Sequence, residues 1–419
     1  MADRGISPPP PKRQRLSALS LLAPSIPSRP ITPLKSHILR VFSWNVNGIA
    51  PFLQPSITSF FSKVSSPSEG MRDTSINSSG RSPEESMRFP QNSYVSRARR
   101  ITPDPALAQG NPSLAACLER WKYPSVVCLQ EVKISPTDTK TQKAVRQAVK
   151  TCTYMVDGDE HKISYAAHFN LPQDKYNARG FGGKVYGVCM LVRNDLAGIQ
   201  DVSPQIKGVD WDLEGRVLLL ELPEKKIVVF NVYAVNGTEN PYRDPQTGKI
   251  TGTRHDRKRA FHTEMARECE LFEERGWVVV VAGDINIARS PLDGFPGIRL
   301  GDVHVKNRTD FERKFMSKND GLGMLDSFRQ LHGEERKYSY RPRGVEWGAS
   351  CDRVDMILIS RQAVKTSNRK IHASYEERGA GGWDLVEADI LDEETERGPS
   401  DHVPIYATLA YRDIIMDQT

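Results

Sequence analysis

The residues that could do chemistry in this 419-residue chain are amides, carboxylates, one phenol and one imidazole, each set near an apolar run. Asn45 and Asn47 follow Val41-Phe42-Ser43-Trp44, and Gln130-Glu131 follows Val126–Leu129. Tyr233 and Asn236 follow Val228–Val232, Gly283-Asp284-Ile285-Asn286 follows Val278–Ala282, and Ser400-Asp401-His402 stands near the C-terminus. Any one of these clusters reads as the polar start of a turn, because Asn, Asp and Gly favour such places. Together they offer oxygen ligands and proton carriers suited to a divalent metal and a phosphate ester.

Hydrolysis of such an ester needs positive charge on the nonbridging oxygens, a polarised water and a stabilised leaving oxygen. A hard cation such as Mg²⁺ prefers carboxylate and amide oxygens and keeps several waters. Glu131 is the first choice for a direct ligand, helped by Asn45, Asn47 and Asp401. Asp284 and Asn286, two residues apart on an extended segment, project to the same side. One can orient or deprotonate the attacking water while the other holds it or the phosphate. His402 can donate to a phosphoryl oxygen as imidazolium if a carboxylate raises its pKa and fixes its tautomer. Asp355, in Arg353-Val354-Asp355, is the candidate for that carboxylate. Tyr233 supplies a phenol for a phosphate oxygen or the departing alkoxide, with Asn236 close behind it as a phosphate-binding amide.

The elements that must position these groups alternate between strand and helix. Alternation over 39–44 predicts a strand. Others are expected at Ser125–Leu129, Ile163–His168, Tyr186–Val192, Val217–Leu222, Lys226–Tyr233, Trp277–Ala282, Met356–Ile359 and His402–Ala410. Helices are expected at Ser113–Trp121 and at about 136–151, 254–274 and 308–317. Several strands are apolar on both faces, which implies two sheets packed together with helices outside. Ligands in layered α/β proteins sit beyond strand ends of this kind. The acidic stretch 383–396 reads as a solvated loop, and Gly180-Phe181-Gly182-Gly183 as a turn.

Length and composition bound the organisation. Hydrophobic residues make up only 38% and the 28 prolines concentrate in the first third, so part of the chain is not packed. Residues 1–37 read as a disordered basic Pro/Ser-rich tail, and 63–112 as a disordered insertion in a single domain spanning 38–412, followed by a tail over 413–419. Pro11-Lys12-Arg13-Gln14-Arg15 suggests nuclear import. A mitochondrial transit peptide is the alternative, since Asp3 is the sole acid before residue 40. Six scattered cysteines without a C-x-x-C pair argue against a zinc or disulfide framework and for a reducing compartment. No apolar stretch approaches the roughly 18 to 20 residues needed to cross a bilayer. The net charge of +6 permits a polyanionic partner without demanding one.

Taken in order, the segments resemble the exonuclease III type of apurinic/apyrimidinic endonuclease, within the endonuclease/exonuclease/phosphatase superfamily. The N-terminal matches are Ser43–Gly48, Leu129-Gln130-Glu131-Val132-Lys133, Glu214-Gly215-Arg216-Val217 and Tyr233-Ala234-Val235-Asn236. The others are Gly283–Asn286, Leu325-Asp326-Ser327-Phe328-Arg329, Arg353-Val354-Asp355 and Ser400-Asp401-His402. The resemblance implies an α/β fold, a four-layer α/β sandwich of two packed mixed β-sheets flanked by helices. It implies Mg²⁺, with Mn²⁺ possible, as cofactor and the catalytic roles given above. It also brings Asp284, Asn286 and His402 close enough to the metal to count among its ligands.

The implied function is hydrolysis of double-stranded, damaged DNA by a monomeric abasic-site endonuclease of base excision repair. A 3′–5′ exonuclease or 3′-phosphodiesterase activity would accompany it. Departures concern the sugar-reading pocket. Val235 stands where the family usually has Pro, Tyr340 where Trp is common, and Ala349, Ser350, Cys351 and Asp352 replace a bulky wedge.

An alternative reading is a phosphatase of the same fold acting on inositol phosphates or another small phosphate ester. Its Cys-Asp-Arg motif is matched by Cys351-Asp352-Arg353, and Asp352 would then support His402. A non-enzymatic nucleic-acid binder is a third reading, opposed by the intact charged positions. Two cations are assigned to substrate phosphate. Arg257 lies in the basic first turns of the helix beginning near Thr253, where positive charge conflicts with the macrodipole unless a phosphate backbone faces it. Arg329 is the other, with a pairing to Asp326 across one turn as its structural alternative.

Overall fold

Each of two six-stranded sheets is built around one parallel pair, and that arrangement brings the polar strand ends together. The computed structural model describes residues 37–53, 113–156, 159–178, 186–196, 203–361 and 382–412. The expected insertion at 63–112, the tail at 413–419, the turn at 180–183 and all of the 1–37 tail except His37 lie outside the described residues.

The first sheet contains β1 (Ile38–Asn45), β2 (Val126–Gln130), β3 (Tyr165–Asn170) and β4 (Val188–Arg193). The second contains β5 (Gln205–Lys207), β6 (Val217–Leu222), β7 (Ile227–Tyr233), β8 (Val278–Asp284), β9 (Leu325–Asp326) and β10 (Asp355–Ile359). β11 (Gly382–Ile390) and β12 (Ile405–Arg412) return to the first. The strand orders are β11-β12-β1-β2-β4-β3 and β9-β10-β8-β7-β6-β5. Among the described residues only β1–β2 and β7–β8 pair in parallel; their neighbours are antiparallel. The carboxyl ends of the parallel pairs therefore meet the amino ends of their antiparallel neighbours. In register, Asp284 lies beside both Tyr233 and Asp355.

Period-two alternation explains the layers. Leu39, Val41, Val126, Cys128, Val229, Val280, Ala282, Ile357 and Ile359 fill the core between the sheets. The intervening Phe42, Trp44, Val127 and Leu129 pack outward with Leu114, Cys117 and Leu118 of helix α1 (Leu114–Arg120) and Val145 of α2 (Thr139–Ala148). On the second sheet, Val228, Phe230, Val279 and Val281 face outward. They meet Phe261, Met265, Cys269 and Phe272 of α3 (Arg254–Glu273) and Phe311 of α4 (Asp302–Phe311). The result is a four-layer α/β sandwich. Burying each large apolar side chain contributes roughly 1.5–3 kcal/mol, which is why strand ends can carry groups a core would reject.

Two expectations change. Residues 382–390 form the edge strand β11 rather than a solvated loop, and its acids are used in place. Asp389 pairs with Lys337 at 2.7 Å, while Glu387 pairs with Arg40 at 3.1 Å. Just beyond the strand, Asp392 pairs with Arg341. Net acidity hid a strand whose Trp383, Ala388 and Ile390 are buried. The helix expected at about 308–317 begins earlier, at Asp302, and closes in a π-turn over Glu312–Met316. Among the described residues no helix is long and apolar enough to cross a membrane.

Candidate active site

The inward-facing row of β8 runs Val280, Ala282, Asp284, so Asp284 extends the core face into a cleft. Gly283 beside it has no room for a side chain: an added Cβ would lie 1.8 Å from the Val232 carbonyl oxygen. Asp284 accepts from Asn45 Nδ2 at 3.0 Å and from the Asn286 backbone N–H at 2.9 Å. The Asn286 side chain donates to the Ala234 carbonyl at 3.0 Å. Burial, and then the neighbouring Asp355 charge, push the Asp284 carboxyl up to about 7.

His402 Nδ1 lies 2.7 Å from Asp355 Oδ2, and its Nε2 lies 3.9 Å from Asp284 Oδ2. The imidazole is thus anchored at one nitrogen and presents the other toward Asp284. Trp44 donates to the His402 carbonyl at 2.9 Å, and Ser400 Oγ accepts from the His402 N–H at 3.0 Å while donating to the Asn45 carbonyl. These bonds tie the His402 segment to the end of β1. Burial opposes the charged imidazole, but the Asp355 carboxylate outweighs it and lifts His402 to about 10. Ser339 Oγ accepts from the Asp355 N–H at 3.0 Å, fixing the start of β10.

The third group is an oxygen nest. Tyr233 donates to Glu131 Oε1, and Lys133 Nζ lies 2.9 Å from Glu131 Oε2. The same ammonium reaches Asn47 Oδ1 and its carbonyl, and Asn47 Nδ2 donates to Asp401 at 2.8 Å. Burial disfavours ionised Glu131, yet Lys133 and the Tyr233 hydrogen bond hold its pKa below the usual range. The Lys133 ammonium among the Glu131 and Asn47 oxygens marks a donor set that attracts positive charge, and carboxylate and amide oxygens of this kind are those a hard divalent ion prefers. Asp284, Asp355 and His402 also come within 4.8 Å of one another. Their hydrogen bonding fits proton handling better than ligation. Asn47, Glu131, Lys133 and Asn286 all adopt left-handed backbone, with φ of 49°, 49°, 55° and 57°. For Glu and Lys this is a strained conformation of the kind found at functional sites.

The cleft, of about 230 Å³, is lined by Asn47, Glu131, Tyr233, Asn236, Asp284, Asn286, Asp401 and His402. Asn45 and Asp355 stand behind it. Asn45 uses its amide on Asp284 and its oxygen on the Asn47 N–H at 3.0 Å, so here it positions other groups instead of facing the ligand space. Tyr340 and Asp352, expected near the sugar-reading pocket, join the lining, as does Lys258 in the basic first turns of α3; Arg299 and His304 join it with no motif to announce them. The segment before α4 and α4 itself carry no motif, which is why Arg299 and His304 gave no signal.

The structure places the two arginines assigned to phosphate elsewhere. Arg257 is buried, with Nη1 2.5 Å from Glu264 and Nε 3.6 Å from Glu214. Glu214 also pairs with Arg216 and Arg254. With the capping box of Thr253 and Asp256, it answers the basic crowding at the start of α3. Arg329 donates to Asp293 at 2.6 Å and to the carbonyls of Gly333 and Glu335. Asp326 caps the backbone of the short helix α5 (Ser327–His332) and spends its carboxylate on Arg353 and Arg289. Both arginines serve the scaffold.

The profile of the Endonuclease/Exonuclease/phosphatase family matches residues 42–402. Exodeoxyribonuclease III of Haemophilus influenzae is 24% identical over 237 residues, covering 53% of this chain and 76% of that protein. Among solved structures, the Xenopus laevis APE2 catalytic domain aligns with a TM-score of 0.48 at 16% identity, over 91% of this chain and 94% of that one. An AP endonuclease from Archaeoglobus fulgidus aligns at 0.47 and 16%, over 88% and 98%. With its profile matched from β1 through His402, the chain belongs to the endonuclease/exonuclease/phosphatase family.

Proposed function

We propose that the protein is a Mg²⁺-dependent phosphodiester hydrolase acting on damaged double-stranded DNA as an abasic-site endonuclease. A 3′–5′ exonuclease or 3′-phosphodiesterase activity accompanies that reaction, and Mn²⁺ can substitute. The observation that carries the reading is the His402–Asp355 pair facing Asp284, 3.9 Å across, beside the Glu131 oxygen nest. Asp284 takes a proton from the attacking water, and Asn286 keeps its carboxylate aimed. The His402 imidazolium donates from Nε2 to a phosphoryl oxygen, with Asp355 stabilising its charge. Tyr233 turns its phenol from Glu131 toward the phosphate or the leaving oxygen, and Asn236 binds a phosphate oxygen. A divalent cation held by Glu131, Asn47 and Asp401 would supply neutralising charge to the ester.

The protein acts as a monomer in the nucleus, with the mitochondrion as the alternative; the basic segment 11–15 supports nuclear import, and imaging of a tagged full chain tests it. For the activity, the test is a gel assay of abasic duplex, intact duplex and a 3′-phosphate primer, with and without EDTA. Incision 5′ to the abasic site, abolished by EDTA, is expected; intact abasic duplex after prolonged incubation with Mg²⁺ would refute the reading.

The small-ester phosphatase gains support from Asp352 lining the cleft. Its pairing of Asp352 with His402 does not, because Asp355 is the residue 2.7 Å away. Faster release of phosphate from an inositol phosphate than cleavage of abasic duplex would favour it.

A further inference from the structure

Beyond His402 the cleft is bordered by a row of three side chains on three neighbouring chain segments. Tyr340 stands in the middle, in antiparallel bridges with Asp352 on one side and His402 on the other. Its N–H donates to the Asp352 carbonyl at 2.8 Å, and its own carbonyl accepts from the Asp352 N–H at 3.0 Å. On the other side the Arg341 N–H donates to the Asp401 carbonyl and the Val403 N–H to the Ser339 carbonyl, each at 2.8 Å. Residues directly opposite in such pairs project to the same face, and all three line the cleft. With roughly 4.8 Å between neighbouring strands, Tyr340 lies one spacing from His402 and Asp352 two. Gly294 pairs with Asp352 on its outer side, so backbone holds that residue from both directions.

The row changes chemistry along its length. His402 and its partner Asp355 serve the reacting phosphate. The Tyr340 ring lies beside the imidazole, with centroids 5.0 Å apart and planes tilted by 57°, and offers a flat face ended by a phenol. Burial, then the Asp401 charge and to a lesser degree that of Asp352, raises the Tyr340 pKa, so the phenol keeps its proton and can donate. Cys351 and Arg353 are turned to Arg341 and to Asp293 and Asp326. Alternation therefore leaves Asp352 as the member of its segment that meets the cleft. It is 8% exposed, and an ionised carboxylate only accepts hydrogen bonds. Such a group repels a phosphate and welcomes a hydroxyl. The hydrolytic steps above use neither Tyr340 nor Asp352.

We propose that Asp352, with the Tyr340 phenol, forms a subsite that reads a free hydroxyl on the sugar esterified to the reacting phosphate. In abasic DNA that group is the C1′ hydroxyl left where the base was lost, so the substrate class narrows to abasic sites that keep it. This rests on the nuclease reading, which puts the phosphate at His402. The sugar then lies against the Tyr340 ring, and its hydroxyl donates to the Asp352 carboxylate in a charge-assisted bond. A sugar without that hydroxyl meets the carboxylate with a C–H, and sites built to bond a hydroxyl discriminate against such analogues.

The experiment is single-turnover incision by the full chain with Mg²⁺ on three duplexes that differ only in one sugar. One carries a natural 2-deoxyribose abasic site, one a tetrahydrofuran without a C1′ or C2′ hydroxyl, and one the ribo counterpart with a hydroxyl at C2′ alone. The natural site should be cleaved about tenfold faster than the tetrahydrofuran, the worth of one hydrogen bond to a charged acceptor. Asp352→Leu and Asp352→Asn, each with an unchanged melting midpoint, should bring that ratio toward one. Equal rates on the natural site and the tetrahydrofuran in the unmodified protein overturn the subsite and leave the nuclease reading intact. A ratio retained by both variants also overturns it, and a preference for the ribo duplex alone overturns the C1′ assignment. No incision of any duplex refutes the nuclease reading and takes the subsite with it.

Discussion

Gln130 Nε2 donates to Asn231 Oδ1 at 2.8 Å, joining β2 of one sheet to β7 of the other one layer below the cleft. Asn231 in turn donates to the Cys189 carbonyl at 2.8 Å and the Leu129 carbonyl at 3.3 Å. Ser43 accepts from Gln130 at 3.1 Å. This fully buried polar layer separates the apolar core from Glu131 and Tyr233, each one or two residues further along its strand. It fixes how the two sheets align where the site is assembled.

Asn231→Ala should therefore cost about 1–3 kcal/mol, the penalty for stranding a buried polar partner, and should lower kcat more than it raises KM. Urea unfolding and steady-state kinetics on abasic duplex check it. A variant with wild-type stability and kcat would remove this layer from the account of positioning.

The pH profile follows from the pKa directions. Activity needs ionised Asp284 and protonated His402, so the rate should rise through about pH 7 and fall as pH passes about 10. Asp355 raises both values. In Asp355→Asn both limbs should move to lower pH, with a loss of roughly 10²-fold or more at pH 8. An unchanged alkaline limb would disconnect Asp355 from His402.

Metal dependence should reside in the Glu131 nest. EDTA should abolish hydrolysis and Mg²⁺ or Mn²⁺ restore it. Glu131→Gln should raise the Mg²⁺ concentration for half-maximal rate at least about tenfold, since an amide keeps the oxygen but loses the charge. The same Mg²⁺ requirement in variant and parent would move the ion away from Glu131.

Acid should weaken the scaffold as pH falls below the ordinary carboxylate range. Burial resists the ionised forms of Glu214 and Asp326, but their arginine partners prevail and hold each at about 2. A depressed carboxylate contributes stability above its unfolded pKa and loses it as pH falls through the folded value. The contributions, about 3 kcal/mol for Glu214 and about 2 kcal/mol for Asp326, should disappear between pH 4.5 and about 2 and between pH 3.8 and about 2 respectively. Glu214→Gln should flatten that part of a stability–pH curve measured by urea midpoints; an unaltered slope would contradict the assignment.

The amino-acid sequence determined most of the strands of the two sheets and which strand ends carry reactive groups. Val278–Ala282 leading to Asp284 is legible because period-two burial and a polar end are local properties. Acidic 383–396 misled for the same reason: local charge says nothing about Lys337 or Arg341 waiting to pair with it. Only tertiary structure decided which cations stay free. Arg257 and Arg329 look as available in one dimension as Arg299, yet the first two meet buried or nearly buried carboxylates brought from distant segments. Pairing is set by the approach of chain segments far apart in sequence, and so are the Asp355–His402 contact and the Gln130–Asn231 tie beneath the cleft.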